Sequence, residues 1–271
     1  MIRGWLMRCM KMTLIAGLGI ILSLLIGGGF SESIAQSTQT LDLSKSKLRD
    51  RIQSAGFITS KPIPSWGSIV GSKDDAVNLT EGEGIYLKLE PGKQVLPGDR
   101  FSIVRLGEVI THPVTKKIIG NLVWIPGELT ILEAKDRVVT AKITKSYRSV
   151  NQGDLIIPAQ PVLPETIPLR NLKKIEGNVL IALEEEENIT EAQFIFIDRG
   201  SNQGVILGDL FSIYQLEHFS QETMKDQTLT LPLAKVGEAV IISVQEETST
   251  ALVTHSSKAI YVGDRAVSGQ E

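Results

Sequence analysis

The most regularly placed carboxylates of the chain sit in four Gly-Asp pairs: Gly98-Asp99, Gly153-Asp154, Gly208-Asp209 and Gly263-Asp264. Calcium needs several carboxylates converging on one ion, as in a loop that supplies them in a spaced series. One acid per turn falls short of that. The same pairs suit chain reversal, because glycine permits positive φ and aspartate bonds the backbone just ahead of it. They are therefore read as structural turns. The acidic run Glu184 to Glu187 is read as a solvated turn between strands, with a weak cation site as the sharper alternative.

His112, His218 and His255 are the chain's histidines. Zinc would need them gathered with acids, since no cysteine follows Cys9. They lie in different segments. No nucleophile-elbow pattern flags a serine for a Ser-His-Asp arrangement, and GxGxxG, P-loop and HExxH patterns are absent from the sequence. Composition and motifs thus point away from an enzyme, and no cofactor is expected. The most individual stretch is Arg105 to Trp124, RLGEVITHPVTKKIIGNLVW. Arg105, His112, Pro113, Thr115, Lys116 and Trp124 form a candidate interaction loop there. An exposed hairpin free to drift is the competing reading.

The elements that must position these residues come in two copies. Gly98-Asp99 with Phe101 and Ile103 recurs as Gly208-Asp209 with Phe211 and Ile213, an offset of 208 − 98 = 110. The same offset carries Asn78-Leu79-Thr80-Glu81 onto Asn188-Ile189-Thr190-Glu191, and Ile85-Tyr86-Leu87 onto Ile195-Phe196-Ile197. It carries Gly127-Glu128 onto Gly237-Glu238, and Gly153-Asp154 onto Gly263-Asp264. The repeat defines one module over residues 67–158 and a second over 177–271, each of ordinary domain size. Within each, short β-branched and aromatic runs such as IYLKL, FSIVRL, NLVWI and ELTIL are separated by Gly, Pro, Asp and Asn. The expected fold is mainly β, two tandem small barrels, because closure hides the edges of so short a sheet. Residues 159–176, with Pro161, Pro164 and Pro168, read as an extended linker. Residues 36–66 read as a linker with a helix over Ser44 to Ala55, N-capped by Ser44 and followed by Gly56. Leu48, Ile52 and Ala55 share one face of that helix, which is too short to stand alone.

The N-terminus has Arg3, Arg8 and Lys11, then the apolar run Met12 to Phe30, then Ser33-Ile34-Ala35. This predicts a signal peptide over residues 1–35, cleaved between Ala35 and Gln36. The run is close to the length that spans a bilayer, so an uncleaved signal-anchor is the alternative and the only expected membrane contact. Cleavage leaves 25 basic and 30 acidic residues, net −5, because residues 1–35 hold three of the 28 bases and one of the 31 acids. A mildly acidic surface argues against nucleic acid as a partner.

The first copy, from AGFITSKPIPSWGSIVGS through LPGDRFSIVR and THPVTKKIIGNLVWIPGELTIL to NQGDLIIP, resembles the C-terminal region of bacterial LysM-containing, peptidoglycan-associated envelope proteins. More distantly it resembles the C-terminal module of flagellar assembly protein T. The LysM repeat itself has no counterpart, since Gln36 to Ala55 is shorter than such a unit. The resemblance implies a non-enzymatic exported protein, a structural or adaptor module whose partner is an envelope protein or peptidoglycan. A protein-binding accessory of a secretion or flagellar assembly is the alternative, and a hydrolase hidden in a barrel mouth a second one.

Overall fold

The structure is a computed structural model, and it describes residues 40–73, 79–135, 138–159, 164–169, 173–183, 188–216 and 232–269. The signal segment with Ala35 and Gln36, Asp74 and Asp75, the Glu184–Glu187 run and His218 lie outside the described residues. Among the described residues no helix is long and apolar enough to cross a membrane.

The chain enters through β1 (Thr40–Asp42), α1 (Ser46–Ser54) and β2 (Phe57–Thr59). The first barrel follows as β3 (Gly67–Ser72), β4 (Gly84–Leu89), β5 (Arg100–Thr111), β6 (Ile118–Lys135), β7 (Val138–Ser146) and β8 (Leu155–Pro158). After β9 (Thr166–Pro168), the second barrel comprises β10 (Ile175–Ala182), β11 (Phe194–Ile197), β12 (Leu210–Leu216), β13 (Leu233–Val244), β14 (Ser249–Ser256) and β15 (Arg265–Ser268). Around the first barrel the order is β3-β4-β7-β6-β5-β8, and around the second β10-β11-β14-β13-β12-β15. The two circuits are identical under the repeat, and every pairing is antiparallel. Both copies are closed six-stranded barrels, as the repeat and its strand pattern predict.

Their interiors repeat as well. Every residue of the first barrel's core except Val139 maps at offset 110 onto a residue of the second core: Ile69 onto Val179, Phe101 onto Phe211, Ile131 onto Ile241, Ile156 onto Ala266. Val139 maps onto Ser249, whose buried hydroxyl finds no partner among the described residues.

The Gly-Asp turns lock these circuits. Gly98 N–H donates to Ile131 O at 2.8 Å, and Ile131 N–H donates to Asp99 O at 2.9 Å. Ile69 makes the same exchange with Gly153 and Asp154, Ile241 with Gly208 and Asp209, and Val179 with Gly263 and Asp264. Each turn thereby docks on a core residue where the ladder shifts register, between Ile131 and Glu133 in β6 and between Ile69 and Gly71 in β3. Each carboxylate bonds the N–H three residues before it: Asp99 to Leu96, Asp154 to Asn151, Asp209 to Ile206 and Asp264 to Tyr261, at 2.7–2.9 Å.

Two local expectations are corrected. NLVWI and ELTIL are one strand, β6, which runs through Pro126-Gly127. The proline lies inside a register shift against β5, between Ile103↔Gly127 and Arg105↔Trp124, where no N–H is required of it. The helix is capped by Lys45 rather than Ser44. Ser44 N–H is taken by Asp42 Oδ1 at 2.8 Å, an Asx-type turn that delays the helix by one residue. Gly56 does follow the helix in the left-handed region.

The barrels do not stand apart. A third apolar cluster joins them: Ile52 of α1 and Ala55 just after it, Ile58 of β2, Ile110 and Leu122 from the far ends of β5 and β6, and the outward face of β11, Phe194 and Phe196. This second contact surface is why FIFI is buried at all four positions. β2 extends the far half of β6, and Thr248 and Thr250 of the second barrel donate to Ile58 O and Gly56 O at 2.9 and 3.0 Å. The linker takes part: β9 pairs with β1, and Ile167 is fully buried in the same cluster.

The Gly98 and Gly208 turns share positive φ, +94° and +88°, but differ in surroundings. A β-carbon at Gly98 meets open space, whereas one at Gly208 would sit 2.1 Å from Pro168 O of β9. Gly98→Ala is expected to lose about 1–2 kcal/mol from backbone strain, and Gly208→Ala clearly more. Urea unfolding of both variants tests this, and equal losses would contradict the docking of β9 on the second barrel's turn.

Candidate functional site

The structure divides the candidate interaction loop between two places. Arg105 and Trp124 belong to the wall of the first barrel. Arg105 bonds Asp154 through both carboxylate oxygens, Nε to Oδ1 and an Nη to Oδ2, each at 2.7 Å, and donates to Ser149 O at 2.9 Å. Trp124 is half-buried with the Arg148 guanidinium 4.5 Å from its ring centre. The other residues lie at the tip of the long β5–β6 hairpin. There Lys116, with φ +60°, and the bonds from His112 N–H to Lys117 O and from Lys116 N–H to His112 O close the turn. Thr115 and Lys116 are exposed on it.

His112 is the pin of the junction. Only 5% exposed, it donates from Nε2 to Asp198 Oδ2 at 2.9 Å across to the second barrel. Its Nδ1 accepts the N–H groups of Val114 and Thr115 at 3.1 and 3.2 Å, which fixes the proton on Nε2. Asp198 Oδ1 accepts Asn178 N–H at 2.6 Å, and Arg199 reaches Oδ2 at 2.8 Å. With both ring nitrogens occupied and the ring shielded, His112 has no nitrogen left to serve a serine as general base. His255 lies apart on β14, exposed and opposite Glu238. Among the described residues no group of three His, Cys, Asp or Glu side chains is placed to hold a metal.

Beside this pin, Pro113 and Val114 of the hairpin face Leu216, Leu233, Tyr261 and Val262 of the second barrel across an open groove of about 870 Å³. Val114, Leu216, Leu233, Tyr261 and Val262 are all substantially exposed, between 41% and 60%, so they form one apolar patch. Gln215, Asp264 and Arg265 supply its polar groups. The Arg265 guanidinium is engaged by Glu176. Asp264 is half-buried, and that burial pushes its carboxyl above the ordinary 3.8 despite bonds from Tyr261 N–H and Gln215. Neither barrel has this groove alone, because the hairpin of one forms a wall against the turn of the other.

Sequence reasoning found Arg105, His112 and Pro113 but not Asp198, Gln215 or Tyr261. The available signal was mismatch within the repeat. Arg105, Ser149 and Asn151 correspond at offset 110 to Gln215, Ala259 and Tyr261, so this end of the second barrel is less polar than that of the first.

Removing the Asp198 carboxylate strands the buried His112 Nε2–H and Asn178 N–H donors. Asp198→Ala is expected to cost about 2–3 kcal/mol in urea unfolding, with faster hydrogen exchange concentrated at the Val114 and Thr115 amides. A loss below about 1 kcal/mol, the scale of an exposed pair, would show that the pin does not hold the barrels together. Asp264 gives a pH test. Its raised folded-state pKa means that its contribution to stability is complete below 3.8 and is lost as pH rises through the folded value. Asp264→Asn should flatten that segment of the stability profile, and Gln215→Arg should bring the carboxyl's titration down, as read by carbon-detected NMR.

No protein-family model matches the chain. A stretch of 76 residues, 28% of the chain, is 32% identical to a protein of Aquifex aeolicus (strain VF5) described as an uncharacterized protein. The chain spans only 15% of the length of that relative.

Proposed function

We propose that this is a non-enzymatic, exported cell-envelope adaptor that captures a protein partner in the groove between its barrels. The observation that carries the reading is the groove itself, walled by both copies and fixed by the buried His112–Asp198 pair. A tandem needed only as a spacer gains nothing from a junction with a buried polar pair and an apolar cluster of its own. An adaptor gains a pre-formed site, which lowers the ordering cost of binding. The basic, apolar and small-residue series of residues 1–35 supports export. The resemblance to LysM-associated envelope proteins supports residence near peptidoglycan. Apolar lining favours protein over glycan as the direct ligand. The occupied nitrogens of His112 speak against a hydrolase in a barrel mouth.

Site-specific photo-crosslinking from Val262 in cells is expected to give a discrete protein adduct, absent when the crosslinker replaces Val70 of the first barrel. The purified fragment from Gln36 onward is expected not to cosediment with insoluble peptidoglycan at high salt. Saturable, salt-resistant pelleting abolished by Tyr261→Ala would replace this reading with direct wall binding.

A further inference from the structure

The two barrels offer an internal comparison of one site in two states. In the first, Asp154 is 4% exposed, and the Arg105 guanidinium covers both of its oxygens. In the second, the position of Arg105 is held by Gln215. Its amide reproduces one Nη of that guanidinium: it donates to Asp264 Oδ2 at 2.6 Å and to Ala259 O at 2.7 Å, the counterparts of Asp154 Oδ2 and Ser149 O. Nothing among the described residues takes the role of Arg105 Nε toward Asp264 Oδ1. Asp264 is also not sealed, since it lines the apolar groove. The substitutions around it run the same way: Asn151 becomes Tyr261, and the hairpin of the first barrel adds Pro113, 3.8 Å from where a Gly263 β-carbon would sit. The first barrel supplies its own cation. The second keeps the carboxylate and surrounds its approach with apolar walls.

We propose that the groove binds a polypeptide segment that places an arginine side chain on Asp264 and apolar side chains against Leu216, Tyr261 and Val262. This rests on the adaptor reading and names the chemistry of its partner. Charge complementarity selects the cation: Arg265, the groove's own guanidinium, is already held by Glu176, and the chain as a whole is acidic at net −3. A guanidinium suits the vacant bond because its planar fork can address a carboxylate and a neighbouring acceptor together. The aliphatic stem of the same side chain lies well against Tyr261 and Leu216.

Blocked leucyl-arginyl-leucine and its citrulline analogue, titrated into the fragment from Gln36 onward and followed by amide NMR shifts, test this. The arginine peptide is expected to shift Leu216 and residues 261–264 saturably and to bind at least about tenfold more tightly than the citrulline peptide, the scale of one charge-assisted bond. Asp264→Asn should remove that preference. Gln215→Arg, which installs the chemistry of the first barrel, should abolish binding while raising the unfolding midpoint, and so reports a folded protein. Equal binding of the two peptides, binding that survives Gln215→Arg, or shifts produced only by soluble peptidoglycan fragments would overturn the proposal. A Val262 crosslink retained in Gln215→Arg would sink the arginine assignment alone, whereas no crosslink in the wild type would sink the adaptor reading with it.

Discussion

Each barrel depends on a backbone exchange in which a Gly-Asp turn gives one N–H and takes another from a single core residue of the opposite strand. The exchange occurs four times, on Ile69, Ile131, Val179 and Ile241, always where the ladder shifts register. A register shift leaves backbone groups without strand partners, and buried unpaired groups are costly. The turn supplies those partners and lets six short strands curve closed. Glycine is required because the residue before aspartate sits near φ +90°. Aspartate is required because its carboxylate holds the turn's first N–H, so a motif with the composition of a metal ligand acts as a staple.

Closure settles the edges but leaves the outer faces to be covered. The outward side of β11 and its neighbours carries Phe194, Phe196 and Leu252, too much apolar surface to leave in water. The helix α1, the strand β2 and the hairpin ends of β5 and β6 cover it, and Gln53 ties the helix back through the Tyr147 hydroxyl to Glu128. Desolvation beside Glu128 holds that tyrosine strongly in its neutral, donating form. The His112–Asp198 pair adds direction to this largely apolar junction. A hydrogen bond to a carboxylate, with its remaining acceptors filled by backbone N–H groups, has one satisfactory geometry, whereas apolar faces slide at little cost.

The groove follows from both devices. The turn of the second barrel presents Asp264, and the pinned hairpin of the first raises a wall beside it. Duplication makes this feasible: one copy has the Arg105–Asp154 pair and with it a sealed end, while the other has glutamine and tyrosine where the first has arginine and asparagine. A chain that repeats its scaffold can vary one end without risking closure, because the staple and the core are untouched.

The repeat, the strands, the barrels and the structural role of the Gly-Asp pairs were legible in the sequence because they rest on local pattern. Alternating apolar residues, glycine at positive φ and a 110-residue self-match are all properties of neighbours along the chain. The break expected at Pro126-Gly127 failed because a proline's missing N–H matters only against a partner strand, and the register of that partner is not local. The same limit governs the candidate site. Arg105 and His112 stand out as residue types, but one closes its own barrel and the other pins the next. Asp198, Gln215 and Tyr261 carry no pattern of their own and acquire meaning only when the hairpin lies across the second barrel. Sequence determined the modules, since short-range periodicity and turn chemistry suffice to specify a barrel. Tertiary structure alone decided the junction and its groove, since these depend on which outer faces bury one another across more than eighty residues, His112 to Asp198.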